Sequence, residues 1–203
     1  MNRKIFTIGH SVHTKEAFLE LLAKCGVNCV VDIRSISSSA HTPQFNKEVF
    51  SRYLKDKSIV YMSFADEFGA RHSESGLLDE NGIVDFKKVW ETPVFLSGVE
   101  RLRAGVDKGY TVALMCSEAE PFDCHRFSMV SRYLAKNGFT VKHILKDGSL
   151  IDNSELESKL LKKYEKKIPV PTLFEKPFKT AEEKIDYAYS LRNKDVGYKA
   201  GVQ

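Results

Sequence analysis

The sequence predicts a single three-layer α/β domain: a mostly parallel five-stranded sheet, Rossmann-like or flavodoxin-like, followed by a C-terminal helical extension. Strand-like and helix-like segments alternate along most of the 203 residues, which is the pattern of βαβ units. The strand-like segments are β-branched and nearly all apolar, as strands covered on both faces should be. A chain of this length can bury one full core of this kind.

Five segments have the composition of buried strands. They are KIFTIG (4–9), VNCVVDI (27–33), IVYMSF (59–64), YTVALMC (110–116) and FTVKHIL (139–145).

Helices are predicted between these strands. KEAFLELLAKCG repeats its apolar residues at helical spacing, and Thr14 before it is a suitable N-cap. FNKEVFSRYLKDK follows the second strand, and residues 86–108 look helical with a break at Pro93. Residues 65–85 show no periodicity, so we predict a long loop of the kind that often carries function.

The chain changes character after the fifth strand. SELESKLLKKYEKK (154–167) predicts a charged amphipathic helix, and the proline-bearing tail behind it has only a weak helical piece, EEKIDYAYSL. We therefore divide the chain into an α/β domain, residues 1–150, and a charged C-terminal helix and tail, residues 151–203.

Composition and charge exclude some classes of protein. No apolar stretch approaches the roughly 20 residues of a membrane span, and the N-terminus lacks the apolar core and cleavage site of a signal peptide. We expect a cytoplasmic protein with no membrane partner, in which the four cysteines are buried thiols, ligands or nucleophiles. The net charge of +4 is compatible with an anionic small molecule or a nucleic acid, argues for neither, and sets no oligomeric state.

Polar side chains follow the ends of four predicted strands. Because the carboxyl ends of parallel strands meet at one edge of the sheet, these residues should converge on a site there. They are His10 and Ser11 after the first strand, Asp32 and Arg34 at the second, Arg71 after the third, and Cys116 with Glu118 at the fourth.

The segment MCSEAEPFDCHRF (115–127) is the most reactive part of the chain. Cys116 ends a strand, and Cys124, His125 and Arg126 come at a predicted helix start with Asp123 as N-cap. The free backbone N–H groups of that helix start, together with Arg126, would bind an anion. A thiol near a helix N-terminus and an arginine is favoured as thiolate.

A metal site is the alternative for the same segment. Cys116, Cys124 and His125 could bind zinc with a fourth ligand such as His10, Asp32 or Glu118. The spacing C-x7-C-H is not that of a zinc finger, and no CxxC pair accompanies it. The P-loop, the dinucleotide fingerprint and the Cys-x5-Arg phosphatase loop are all missing, so the sequence requires no cofactor.

The motifs TIGHS, VVDIRS, TPQFN, EFGAR and MCSEAEPFDCHR occur in this order. In this series the chain resembles the DUF488 family of bacterial and archaeal proteins over roughly residues 4 to 146. The resemblance implies a compact α/β domain. It points at the positions already found by their placement and adds Gln44 and Asn46 of TPQFN.

We therefore expect an enzyme that acts on an anionic, phosphate-bearing substrate. Cys116 would be the nucleophile or redox centre, Glu118 or His10 would move protons, and Asp32 belongs to the same catalytic set. The anion would be bound by the remaining strand-end and motif residues, Ser11, Arg34, Gln44, Asn46, Arg71, His125 and Arg126. A nucleotide- or nucleic-acid-binding module without catalysis is the second hypothesis, and a zinc-stabilised domain is the third.

Overall fold

One mixed sheet of six strands forms the centre of the protein in a computed structural model that describes residues 3–201. The strands are β1 (Arg3–Gly9), β2 (Cys29–Asp32), β3 (Val60–Ser63), β4 (Val112–Cys116), β5 (Phe139–Ile144) and β6 (Leu150–Asp152). The first five are parallel, and β6 pairs antiparallel with β5. The α/β class is confirmed, and the sheet has one strand more than the sequence predicts.

The strand order is β3-β2-β4-β1-β5-β6. It differs from both the Rossmann order, 3-2-1-4-5-6, and the flavodoxin order, 2-1-3-4-5, because β1 lies between β4 and β5. The register pairs Gly9 with Cys116 and Asp32 with Met115. The carboxyl ends of β2, β4 and β1 therefore lie side by side, which positions the candidate site.

Eight α-helices surround the sheet in the described residues, and a π-helix (Arg126–Ser131) runs directly into the sixth of them. The α-helices are α1 (Lys15–Lys24), α2 (Lys47–Asp56), α3 (Ala65–Phe68), α4 (Phe86–Trp90), α5 (Pro93–Asp107), α6 (Arg132–Lys136), α7 (Asn153–Lys163) and α8 (Ala181–Val196). Thr14 caps α1 as predicted, since its hydroxyl accepts from the backbone N–H of Ala17. The break at Pro93 is also confirmed, because α4 ends before it and α5 begins with it.

The prediction of a long loop over residues 65–85 was wrong in part. The stretch contains α3, a turn of 3₁₀ helix at Ser75–Leu77 and a short bridge between Leu78 and Val84. Phe68 of α3 is fully buried and packs against Phe95 of α5. This burial fixes a segment whose sequence shows no periodicity.

Two apolar layers cover the sheet. Alternate strand residues point to opposite faces, so Ile5 and Leu114 pack with α5 on one side. Phe6 and Met115 pack with α1 and α2 on the other.

The C-terminal segment packs on the domain through a third apolar cluster, formed by α7, α8 and Phe127. The buried guanidinium of Arg132 binds the carboxylates of Glu157, Asp186 and Glu182, which fastens both helices to the body of the protein. Beyond α8, Lys199 bridges to Ile83, so the tail also returns to the segment before α4.

No helix within residues 3–201 is both long enough and apolar enough to cross a membrane.

His143 on β5 makes folding dependent on pH. Its ring is fully buried between the Thr7 hydroxyl, 2.8 Å from Nδ1, and Asn153 Oδ1, 3.2 Å from Nε2. Burial lowers the pKa of His143 to about 3. The unfolded chain therefore takes up a proton below about pH 6.5 that the folded protein refuses, so stability falls as the pH falls.

We expect His143 to contribute a loss of about 1 kcal/mol in the free energy of unfolding per pH unit between pH 6 and pH 4. His143→Gln should be less stable at pH 7 and should show a shallower decline towards acid. Urea unfolding at a series of pH values measures both slopes. An unchanged slope in the variant would contradict the assignment.

Candidate functional site

Four side chains of the segment MCSEAEPFDCHRF gather at the carboxyl end of β4. The sulfur atoms of Cys116 and Cys124, Nδ1 of His125 and a carboxylate oxygen of Glu118 all lie within 4.8 Å of one another. Glu118 Oε2 is 2.8 Å from the Cys116 sulfur and 3.0 Å from the Cys124 sulfur. We call these residues the Cys-Glu-His cluster.

The imidazole of His125 faces the two sulfurs through one nitrogen. Its Nδ1 lies 3.7 Å from the Cys116 sulfur and 3.8 Å from the Cys124 sulfur. Its Nε2 donates to the backbone carbonyl of Ile33, 3.2 Å away, at the end of β2. The hydrogen bond to Ile33 orients the ring, so that Nδ1 is the nitrogen available to the cluster.

Burial differs among the four groups. Both cysteines are only 2% exposed, whereas His125 is half-buried and Glu118 is exposed. Glu118 therefore offers its solvent-facing side to anything that enters the site, and the sulfurs lie behind it.

The electrostatics of the cluster separate the two thiols. Burial, together with the neighbouring Cys124 and Glu118, raises the pKa of Cys116. Burial opposes ionisation of Cys124 too, but a hydrogen bond from Cys116 and the nearby Arg126 and His125 lower its pKa. Cys124 is therefore the thiol that ionises more readily.

Cys124 also shifts the pKa values of the other two groups of the cluster, Glu118 and His125. Although Glu118 as a whole is exposed, its carboxylate lies against the two buried sulfurs, and desolvation there together with the proximity of Cys124 raises the pKa of Glu118. Burial works against protonation of His125, yet the attraction of Cys124 raises the pKa of that imidazole.

Arg126 holds the loop that joins the two cysteines. Its guanidinium is fully buried and donates to the backbone carbonyls of Glu118 and Ala119. This arrangement differs from the predicted anion site, because the charge of Arg126 points into the protein. Asp123 does not cap the following helix as predicted, since its carboxylate pairs instead with Arg192 of α8.

A second buried network lies next to the cluster and is built around Arg34. The guanidinium binds both carboxylate oxygens of Asp32, at 2.9 and 2.6 Å, and the backbone carbonyl of Phe45. Tyr61 donates to the same Asp32 carboxylate at 2.6 Å. The remaining nitrogen of Arg34 lies 3.1 Å from Nε2 of His10, so the cation is satisfied by the protein on every side.

His10 is consequently engaged at both ring nitrogens. Nε2 accepts from Arg34, and Nδ1 donates to the backbone carbonyl of Ser11 at 2.9 Å. Burial lowers the pKa of His10 to about 4. In this setting the neutral imidazole is a structural member of the Arg34 network, and its predicted role in proton transfer stays a prediction.

A pocket of about 230 Å³ opens over the cluster. Its walls include Arg71 from the segment after α3, Ser117 after β4, and Val196 and Tyr198 at the end of α8. The Arg71 guanidinium lies over the Tyr198 ring, 5.5 Å from the ring centre.

The structure brings together only some of the residues that the sequence singles out. The predicted residues that line the pocket are Arg34, Arg71, Cys116, Glu118, Cys124 and His125. Gln44 and Asn46 bind backbone groups of the loops around them, His13 and Ser39. Ser11 is held at a positive φ of 46°, with its N–H donating to the carbonyl of Ser117.

Sequence reasoning did not identify Tyr61 or Tyr198 as parts of the site. Tyr61 alternates with apolar residues on β3 and resembles a core residue, while Tyr198 lies in a tail without periodicity. No local signal marks either one, because both reach the site through long-range contacts.

Gly9 permits the close approach of β1 to the cluster loop. A Cβ atom at this position would lie 1.8 Å from the Glu118 carbonyl oxygen and 2.9 Å from Arg126 Nη1. We expect Gly9→Ala to cost about 1–3 kcal/mol in the free energy of unfolding, because backbone and a buried side chain must shift. Urea unfolding measures the loss.

Gly105 on α5 provides the control, since a Cβ there meets no atom within 4 Å. Gly105→Ala should stabilise the protein by up to about 1 kcal/mol, as alanine is the better helix former. Equal effects at both glycines would contradict the steric explanation.

Comparisons with known proteins agree with the motif series. The model of a family described as a domain of unknown function, DUF488, matches residues 14–134, which is more than half of the chain and contains the whole cluster. The searches of curated proteins and of solved structures give no match. The chain therefore belongs to the DUF488 family.

Proposed function

We propose that this protein is an enzyme that acts on an anionic, phosphate-bearing substrate, with the Cys-Glu-His cluster as its reactive centre. The observation that carries the proposal is a pocket which has an unpaired arginine on one wall and the cluster below it. A cation facing a group of thiols, carboxylate and imidazole fits a substrate whose anionic part is held while a neighbouring bond reacts.

Arg71 is the residue that would bind the anion. Its side chain is exposed in the pocket, and among residues 3–201 it forms no ion pair with a carboxylate. The Tyr198 ring supports one face of the guanidinium, which leaves the N–H groups at its edge free. Arginine in this state suits bidentate binding of a phosphate or carboxylate.

The other two arginines have their charge satisfied by the protein, although Arg34 also lines the pocket. Arg34 is neutralised by Asp32, and Arg126 is used by two backbone carbonyls. We propose that Asp32 and His10 act as positioning residues through Arg34, and that the hydroxyls of Ser35 and Ser117 assist Arg71 in the pocket.

The cluster would react as a unit. Cys116 alone is a poor nucleophile in this setting, because its sulfur is buried and lies against Glu118. Glu118 and His125 face the pocket, so a substrate would contact them before either sulfur. This favours a reaction that depends on both cysteines over one that uses Cys116 as a single exposed thiol.

The test is turnover of a panel of phosphate-bearing compounds, including nucleotides, sugar phosphates and simple phosphoesters, followed by ³¹P NMR. Inorganic phosphate serves as the binding probe in calorimetry. Loss of one charge-assisted hydrogen bond to a phosphate costs about 1.5–3 kcal/mol, so Arg71→Ala should weaken phosphate binding and kcat/KM roughly 10- to 100-fold.

Arg52→Ala is the matched control, because Arg52 is an exposed arginine on α2 outside this pocket. It should leave both quantities unchanged. The proposal fails if the protein neither binds phosphate nor turns over any compound, or if the two variants behave alike.

A further inference from the structure

We infer that the Cys-Glu-His cluster is a binding site for one Zn²⁺ ion, with Cys116, Cys124 and His125 as ligands and Glu118 in the fourth position. It is the one group of three or more potential ligands that converges in this way within residues 3–201. Four protein ligands around one point match the number that zinc takes in tetrahedral sites.

The two sulfur–nitrogen distances agree with the edges of a tetrahedron around a common centre. Zinc binds sulfur at about 2.3 Å and imidazole nitrogen at about 2.0–2.1 Å, so the sulfur–nitrogen edge of a tetrahedral site is about 3.6 Å. The two such edges here measure 3.7 and 3.8 Å. His125 is thus nearly equidistant from both sulfurs at the separation that zinc requires.

Glu118 would move outward when the ion binds. Its carboxylate oxygen lies 2.8 and 3.0 Å from the sulfurs, closer than the edge of about 3.6 Å that a zinc–oxygen bond of about 2.1 Å implies. The residue is exposed and lines the pocket, so it has room for the outward shift of about 0.6–0.8 Å that these distances imply.

The groups around the ligands are already those of a metal site. A ligating imidazole usually gives its second N–H to a carbonyl or carboxylate, and His125 gives Nε2–H to the Ile33 carbonyl. The backbone N–H of Arg126 lies 3.4 Å from the Cys124 sulfur and donates to it. The Arg126 guanidinium fixes the carbonyls of Glu118 and Ala119, so the loop that carries the ligands is rigid before binding.

The ligand types favour zinc over other divalent ions. Two sulfurs and one imidazole select zinc among the common non-redox ions, whereas magnesium and calcium take oxygen ligands. Binding needs no oxidant or reductant. Zn²⁺ is bound as the dithiolate, and any thiol proton that remains is released to the buffer.

Metal binding would also give the proposed enzyme a more specific mechanism. This one point rests on the proposed function. The exposed Glu118 is the ligand that a substrate anion held by Arg71 could displace. Zinc would then polarise that substrate, and the cysteines would serve as ligands.

The experiment is elemental analysis of the untagged full-length protein, purified without chelator and reconstituted with Zn²⁺. We expect about one zinc per chain. Cys116→Ala and Cys124→Ala should each retain less than about one-tenth of an equivalent. Cys29→Ala is the matched control, because Cys29 is also a buried free thiol but lies on β2 outside the cluster. It should keep the full equivalent.

Two further measurements test zinc binding even if the alanine variants fail to fold. Wild-type protein loaded with Co²⁺ should show the visible absorption of a tetrahedral thiolate site. Glu118→Gln, a change at an exposed side chain, should fold normally and bind zinc at least about 10- to 100-fold more weakly, the range for loss of a group that only supports a ligand.

Wild-type protein that holds less than about one-tenth of an equivalent after reconstitution would overturn the inference. So would equal zinc loss in the Cys29 variant. Because metal content is measured without any substrate, zinc binding with no turnover would sink only the proposed enzymatic function. Turnover by metal-free protein would sink only the role of zinc in that reaction, and absence of zinc after reconstitution would sink only the metal site.

Discussion

The geometry of the site depends on one buried cation. Arg126 has no exposed surface, and its guanidinium is bonded to the carbonyls of Glu118 and Ala119. A buried charge is costly unless hydrogen bonds compensate it. The chain from residue 117 to 120 therefore folds back over Arg126 and gives carbonyls to its two terminal nitrogens, while Nε has no partner within residues 3–201. This constraint brings Glu118 to the two cysteines. It also requires glycine at position 9, because the backbone of β1 runs directly beneath the Glu118 carbonyl.

A second charge is balanced in a different way. The Arg34–Asp32 pair is almost fully buried, and it is surrounded by hydrogen bonds from Tyr61 and to the Phe45 carbonyl. Such a pair contributes geometry more than net stability, since the cost of removing both charges from water offsets their attraction. Its effect here is to fix the loop after β2, so that within residues 3–201 Arg71 is the arginine of the pocket without a carboxylate partner.

Much of the site's location could be predicted from the sequence, but not how its charged groups point. The apolar runs gave five strands because buried parallel strands have a distinctive composition, and the rule on carboxyl ends placed Cys116, Asp32 and His10 at one edge. β6 was missed because three residues at a sheet edge leave no pattern. The insertion of β1 between β4 and β5 is a long-range pairing that local segments do not encode.

The prediction of which arginines face a bound anion failed for the same reason. Arg34 comes just after the end of β2, and Arg126 comes at the start of the helix after the cluster loop. Both guanidinium groups nevertheless donate to partners within the protein. The Asp123 carboxylate forms an ion pair with Arg192, which is 69 residues away in the sequence. Side-chain direction at a strand end depends on such distant partners, so residue type and position alone could not separate the internal arginines from Arg71.

The Arg71–Tyr198 contact gives the pocket two separately encoded parts. The floor is made of strand ends and the cluster, where a change disturbs the sheet, the buried charges or the ligands. The outer wall is made by the last turn of α8 and by Arg71 with Tyr198. The Lys199–Ile83 bridge holds this part of the chain in place. If the proposed function holds, substitutions in that wall would alter the size and charge of the accepted molecule without changing the cluster beneath it. Selectivity and reactivity would then be able to vary independently.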